Sequence, residues 1–341
     1  MKYYLLASIT LLFLASCGSE EETPPGTYAQ GLLVINEGNF GAGNGSLSFI
    51  DSEGEVIQNA FALANNGLQP GDIVQSVHET EDLILLVVNN SNILYALDKG
   101  ELSITYQIEG LSLPRYATSA GSLGYVSEWV SFSDPGRITS FDLATGEMID
   151  RINVGFGADE LLIFENQLYV SNSFESSISV IDLTNFTEVS TINTSPSPGK
   201  ISEAADGALW VLCGGGFDAD FNNANDGALQ KISNTTIIET LTLGQNISAN
   251  FALNAAKNRL YAYSGTSVYE VDLTSPSWEE PLFTDPAASS YYGIGMTDDQ
   301  TLLLTDSKFF QSNGEVIRYG LSGDRQTTYT VGVGPNGMLF R

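Results

Sequence analysis

Tyr169-Val170-Ser171-Asn172, a short turn, and then Ile178-Ser179-Val180-Ile181-Asp182-Leu183-Thr184 decide the fold of this chain, because the pair recurs along it. In the second run apolar and polar residues alternate, the period of a half-buried strand. Six further apolar segments end in the same way, on a small or polar residue: Leu33-Val34-Ile35-Asn36, Leu86-Val87-Val88-Asn89, Tyr125-Val126-Ser127-Glu128, Trp210-Val211-Leu212-Cys213, Tyr261-Ala262-Tyr263-Ser264 and Leu303-Leu304-Thr305-Asp306. From Asn36 to Asp306 the endings fall in six steps averaging 45 residues. A strand-patterned repeat of that length is the signature of a propeller.

A second alternating run follows each segment and usually stops at an Asp whose side chain can cap the next turn, as in Asp142-Leu143-Ala144-Thr145-Gly146. Leu229-Gln230-Lys231-Ile232-Ser233 and Val316-Ile317-Arg318-Tyr319-Gly320 lack that Asp. A solvated third run, such as 148–154 or 189–193, then leads through a Gly/Pro link to an inner segment rich in small residues. Six such inner segments precede the repeats, at 71–79, 114–120, 159–164, 199–205, 250–255 and 292–297. The seventh stands at the C-terminus, where Gly334-Pro335-Asn336-Gly337-Met338-Leu339-Phe340 is expected to lie beside 32–36. The chain therefore predicts an all-β fold, a seven-bladed β-propeller whose blade one is closed by the C-terminal strand.

Composition agrees and excludes several functions. The 341 residues carry 13 Lys plus Arg against 41 Asp plus Glu, a net charge of −28, which repels nucleic acid. With 43% hydrophobic and only 16% charged residues, the chain is neither a disordered polyanion nor a membrane bundle. His78 is the only histidine, so no His-based triad or multi-His metal centre can be built, and no catalytic residues are assigned. Cys213 lies in an apolar run and reads as a buried strand cysteine.

The first residues read as targeting rather than fold. Lys2 precedes an apolar run from Leu5 to Ala15, too short to span a bilayer. Leu14-Ala15-Ser16-Cys17 resembles the lipobox of bacterial lipoproteins, which implies a signal peptide over 1–16, lipidation of Cys17, and membrane contact only through that anchor. An ordinary signal peptide ending near a chance Cys is the alternative. Residues 17–27 form an acidic, Pro-containing tether, and 28–341 the propeller. The acidic stretch after Cys17 resembles the surface-export signal of Bacteroidota lipoproteins, which implies an outer-membrane protein facing outward.

The Tyr169–Thr184 repeat also resembles the YVTN-type repeat of seven-bladed bacterial propellers. Ile35-Asn36-Glu37-Gly38-Asn39-Phe40-Gly41-Ala42-Gly43-Asn44-Gly45-Ser46-Leu47-Ser48 is similar to the opening blade of Bacteroidota surface lipoproteins that capture cobalamin for a TonB-dependent outer-membrane transporter. The resemblance implies a non-catalytic capture protein with cobalamin or a related large nutrient as ligand, the transporter as partner and no cofactor. A protein- or glycan-binding propeller and a lactonase-like hydrolase are the alternatives.

Propellers place function on the face that carries the inter-blade links and the loops between second and third strands. Four of those loops are long here, at 37–45, 129–136, 214–226 and 306–314. Together with neighbouring links they supply the expected ligand-binding set: Asn39, Phe40, Asn44, Arg115, Tyr116, Trp129, Phe132, Phe217, Phe221, Tyr291, Phe309, Phe310 and Asn313. Aromatic rings exposed on loops beside amides suit a large amphipathic ligand. Asp218, Asp220, Asn222 and Asp226 form a weak calcium candidate, because Asn223 and Leu229 stand where a calcium loop needs its turn Gly and bidentate Glu. Replacing Cys17 by Ser is expected to block lipoprotein processing or release an unlipidated form, and protease shaving of intact cells then reads the orientation; full protection of the propeller would place it in the periplasm.

Overall fold

A computed structural model describes residues 26–217 and 222–341. The targeting segment and the lipobox, including Cys17, lie outside the described residues, as does 218–221 of the blade-five loop. Seven four-stranded antiparallel sheets follow one another around an axis. Blade one is built from Pro335–Phe340, Gly31–Asn36, Ser46–Asp51 and Val56–Ile57, and blades two to six continue in chain order from Val74–Glu79 to Phe283–Thr284. Blade seven consists of Tyr291–Met296, Leu302–Asp306, Asn313–Tyr319 and Arg325–Val333. This is the seven-bladed propeller that the repeat predicts, and the inner strands fall within a few residues of the small-residue segments.

The blades cohere because both faces of each sheet are apolar toward a neighbour. Leu33, Ile35, Ile84, Leu86 and Val88 pack in one cluster between blades one and two, while Leu32, Val34, Leu303 and Val316 pack in another between blades one and seven. The second strands are buried along almost their whole length, as in Leu168–Asn172 and Leu209–Cys213. The outermost strands stand in water, as in Met148–Asn153. Cys213 is fully buried, as its apolar surroundings imply.

Three elements are additions to the repeat. A short helix, Ala60–Ala64, follows the two-residue outer strand of blade one. Its alanines favour helix, and Phe61 is completely buried with its ring 5.2 Å from that of Tyr95. Asn65 fixes the helix to blade two by donating to the Leu102 carbonyl (2.9 Å) and accepting from the Ile104 amide (2.9 Å). A two-stranded hairpin, Gly216–Phe217 with Asn223–Asn225, rises in the blade-five loop, and a 3-10 turn, Lys308–Phe310, occupies the blade-seven loop.

The C-terminal strand closes blade one antiparallel to Gly31–Asn36, with Leu33 opposite Leu339 and Val34 opposite Met338. The Gly31 amide donates to the Arg341 carbonyl (3.0 Å) and the Arg341 amide to the Gly31 carbonyl (2.9 Å), extending the ladder to the last residue. Deleting 335–341 unpairs a central strand and opens the ring, so the truncated protein is expected to lose its cooperative thermal transition. A parent-like melting temperature by circular dichroism would show that closure does not depend on this strand.

Candidate functional site

Six of the seven inner strands carry an irregularity at the same level, near the end where the inter-blade links enter. Pairing jumps between Val74 and Ser76, Pro114 and Ala117, Ala158 and Leu161, Pro198 and Ile201, Tyr291 and Gly293, and Pro335 and Gly337. Each jump inserts one extra residue against the second strand, a β-bulge, which breaks strict alternation and re-aims side chains. The residues at these bulges are Gln75, Arg115 with Tyr116, Asp159 with Glu160, Gly199 with Lys200, Tyr292 and Asn336. Side chains of the preceding blade capture freed carbonyls nearby. Ser76 Oγ donates to the Arg115 carbonyl, Ser127 Oγ to that of Asp159 and Thr305 Oγ1 to that of Pro335, each at 2.6 Å. Asn336 Nδ2 donates to the Gln75 carbonyl at 3.1 Å.

Several of these bulge residues border an axial cavity of about 250 Å³, lined by Gln75, His78, Tyr116, Glu160, Lys200, Asn250 and Asn336 among others. Arg115 Nε donates to Asp159 Oδ1 at 2.9 Å, and Arg115 Nη1 donates to Gln75 Oε1. The guanidinium lies 3.9 Å from the centre of the Trp129 ring, a cation–π contact that couples the buried charges to the rim. Tyr292 Oη donates to Glu37 Oε2 at 2.6 Å. Burial raises the Glu37 carboxyl above its ordinary value, partly opposed by that hydrogen bond and by Arg115. Burial also pushes Glu160 up to about 7, against the pull of Lys200. Lys200 is itself lowered by burial, and its ammonium donates to the Phe251 carbonyl at 2.8 Å. His78 is held toward its neutral form by burial and shares a 3.0 Å hydrogen bond with Ser119.

Above the cavity the rim is aromatic. Phe40, Phe132 and Phe309 expose 80%, 75% and 62% of their surface, far more than a packed ring does. Phe132 stacks on Phe174 at 5.7 Å, and Trp129 lies 4.6 Å from Phe174, so blades three and four share one aromatic wall. The second wall comes from blades seven and one, where Asn39 Nδ2 donates to the Phe310 carbonyl at 3.0 Å. Between the walls, blade two has only a short turn at 89–92. Lys308, Phe309 and Phe310 all take positive φ (50°, 54° and 60°), which is costly for non-glycine residues and projects Phe309 outward. Asp306 supports this turn by accepting the Lys308 amide (3.0 Å) and pairing with the Lys308 ammonium (2.9 Å). Phe310 turns inward instead, 5.2 Å from Tyr292, against Gly334, where a Cβ would meet Phe310 at 2.3 Å.

A family profile described as "Domain of unknown function (DUF5074)" matches residues 30–312. The chain belongs to this DUF5074 family. No curated protein matches it by sequence. Among solved structures it is similar to a quinoprotein alcohol dehydrogenase-like protein from Bacteroides thetaiotaomicron, at 16% identity and a TM-score of 0.71 over 92% of this chain and 78% of that one. It is also similar to the periplasmic gluconolactonase of Pseudomonas aeruginosa (12% identity, TM-score 0.67, 91% and 98% covered). A candidate 6-phosphogluconolactonase of Bacteroides fragilis matches over 93% of this chain and 99% of that one, at 14% identity and a TM-score of 0.67. At such identities the likeness is one of fold.

In this DUF5074 propeller Phe40, Trp129, Phe132, Phe309 and the exposed Asn313 stand at the mouth. Asn39 and Asn44 are engaged with one another, the Asn39 amide donating to Asn44 Oδ1 at 2.7 Å, so they shape their loop. Tyr116 lies deeper than the sequence implies, in the lining of the axial cavity, and Arg115 lies beside it, paired with Asp159 beneath Trp129. Tyr291 is a correction: it is only 4% exposed and donates to Tyr319 Oη at 2.8 Å, in the core between blades six and seven. The bulge beside it gives the axial position to Tyr292, which a reading by strict alternation cannot foresee. Phe174 was missed because it sits in a tight turn of ordinary length, and Glu160 and Lys200 because nothing in an inner strand marks a bulge. Phe221, Asp218, Asp220 and the Phe217 side chain lie outside the described residues; Asn223 Nδ2 donates to Asp226 Oδ1 at 2.8 Å. Among the described residues no three His, Cys, Asp or Glu side chains gather as metal ligands.

The raised Glu160 has a consequence for stability. Between its reference value of 4.5 and about 7 the folded protein keeps a proton that the unfolded chain has released, so this group's contribution falls as pH rises through that window. Each unit of difference is worth about 1.4 kcal/mol. Urea midpoints of the parent are expected to fall from pH 5 to pH 7 by more than those of Glu160→Gln, and parallel pH profiles would remove Glu160 as the cause.

Proposed function

We propose that this propeller is a non-catalytic capture protein that holds a large amphipathic nutrient, cobalamin or a related compound, across its mouth. The observation that carries the reading is the pair of aromatic walls, with Phe40 and Phe309 on one side, Phe132 and Phe174 on the other, and the short turn of blade two between them. Exposing this much ring surface costs solvation free energy unless a ligand covers it. An axial cavity of about 250 Å³ is too small for such a ligand, so its body rests on the rim. The resemblance of the opening blade to cobalamin-capturing lipoproteins supports the ligand class. It also supports delivery to a TonB-dependent transporter from an outer-membrane position, anchored through Cys17.

A second reading, hydrolysis of a lactone, draws on one observation: a carboxyl with a value near 7 faces a small polar cavity, as a general base would. Turnover of gluconolactone abolished by Glu160→Gln would establish it over capture. Calorimetry of the mature protein with cyanocobalamin tests the first reading. Phe132→Ala and Phe309→Ala are each expected to weaken binding about tenfold, on the order of 1–2 kcal/mol, and to leave the melting temperature unchanged because neither ring is packed in the core. No heat of binding to the parent at micromolar protein would overturn the cobalamin assignment.

A further inference from the structure

Glu160 and Lys200 present opposite charges to the same axial cavity, each acting on the other electrostatically, yet no direct ion pair joins them. Arg115 and Asp159, by contrast, are paired at 2.9 Å just beside them. Lys200 donates to the Phe251 carbonyl and has further N–H donors beyond that bond. Asn336 lines the same cavity, with its Nδ2 held by the Val74 and Gln75 carbonyls.

From this arrangement we infer that the axial cavity is an inner subsite for a neutral group carrying both a donor and an acceptor, of which a primary carboxamide is the simplest. The carbonyl of such a group would accept from Lys200 Nζ while its NH₂ donates to Glu160. Above about pH 7, where Glu160 is ionised, a carboxylate or an ammonium would satisfy one side of the cavity and set a like charge against the other, and the net charge of −28 adds a further barrier to anions. The cavity, at about 250 Å³, admits one such arm and excludes a bulky body. The inference rests on the capture reading for the ligand's body on the rim, and on the cavity alone for the arm.

Two measurements separate them. The first follows the Lys200 ammonium of the mature protein, labelled with 15N-lysine and recognised by its loss in Lys200→Met, during titration with acetamide, acetate and methylammonium at a pH about one unit above the Glu160 value of about 7. Acetamide is expected to shift that signal with a dissociation constant in the millimolar range, the two ions at least about tenfold more weakly. No shift with acetamide, or equal or tighter binding of acetate, overturns the inner subsite. The second is calorimetry with cyanocobalamin on the parent and Lys200→Met. Equal affinity in a folded Lys200→Met overturns the inner subsite and leaves rim capture standing. Acetamide binding without cobalamin binding supports the subsite and sinks the cobalamin reading of the rim.

Discussion

One extra residue near the mouth end of an inner strand governs where the charges of this propeller point. Without it, Arg115–Tyr116 and Asp159–Glu160 would alternate between the axis and the inter-blade core, as a regular strand requires. A charge in that core would be ruinous, because the space between blades is filled by side chains such as Leu86, Val126 and Ile178 that offer it no partner. The bulge instead brings the polar residues of several blades together around one small cavity. Its freed carbonyls do not go unsatisfied, since Ser76, Ser127, Thr305 and Asn336 reach across from the preceding blade. The same hydrogen bonds therefore join neighbouring blades and hold the cavity wall in place.

The cavity and the rim are linked through Arg115. Its guanidinium is fixed from below by Asp159 and Gln75 and covered from above by Trp129, whose indole in turn packs on Phe174. On the opposite side, Glu37, Tyr292 and Phe310 form a matching chain from the axis to the blade-seven turn. The three left-handed residues of that turn are tolerated because Asp306, fully buried, takes three backbone amides and the Lys308 ammonium.

Closure of the ring makes this precision possible. Because Pro335–Phe340 completes blade one, Asn336 sits between blades one and two and Gly334 lies against Phe310, so the C-terminal residues are part of the site as well as of the closure. A propeller left open at this interface would lose an inner strand, three residues of the cavity lining (Asn336, Gly337 and Met338) and the support of one aromatic wall together.

Fold, blade count and closure were legible in the sequence because they depend on patterns that repeat: alternation with a period of two, a turn residue at each strand end, and a spacing near 45 residues. The aromatic loops were legible for a related reason, since insertions into a regular repeat stand out. What the sequence left hidden is local and non-repeating. Whether Tyr291 or Tyr292 faces the axis turns on a single inserted residue, and a one-residue shift exchanges the two faces of a strand. That Glu160 and Lys200 line one cavity, and that Arg115 pairs with Asp159, is decided by blades closing around an axis, which juxtaposes residues some forty positions apart whose separations say nothing of their proximity. Repetition fixes an architecture through the chain's own periodicity, whereas a site assembled from single side chains on separate blades exists only once those blades are packed.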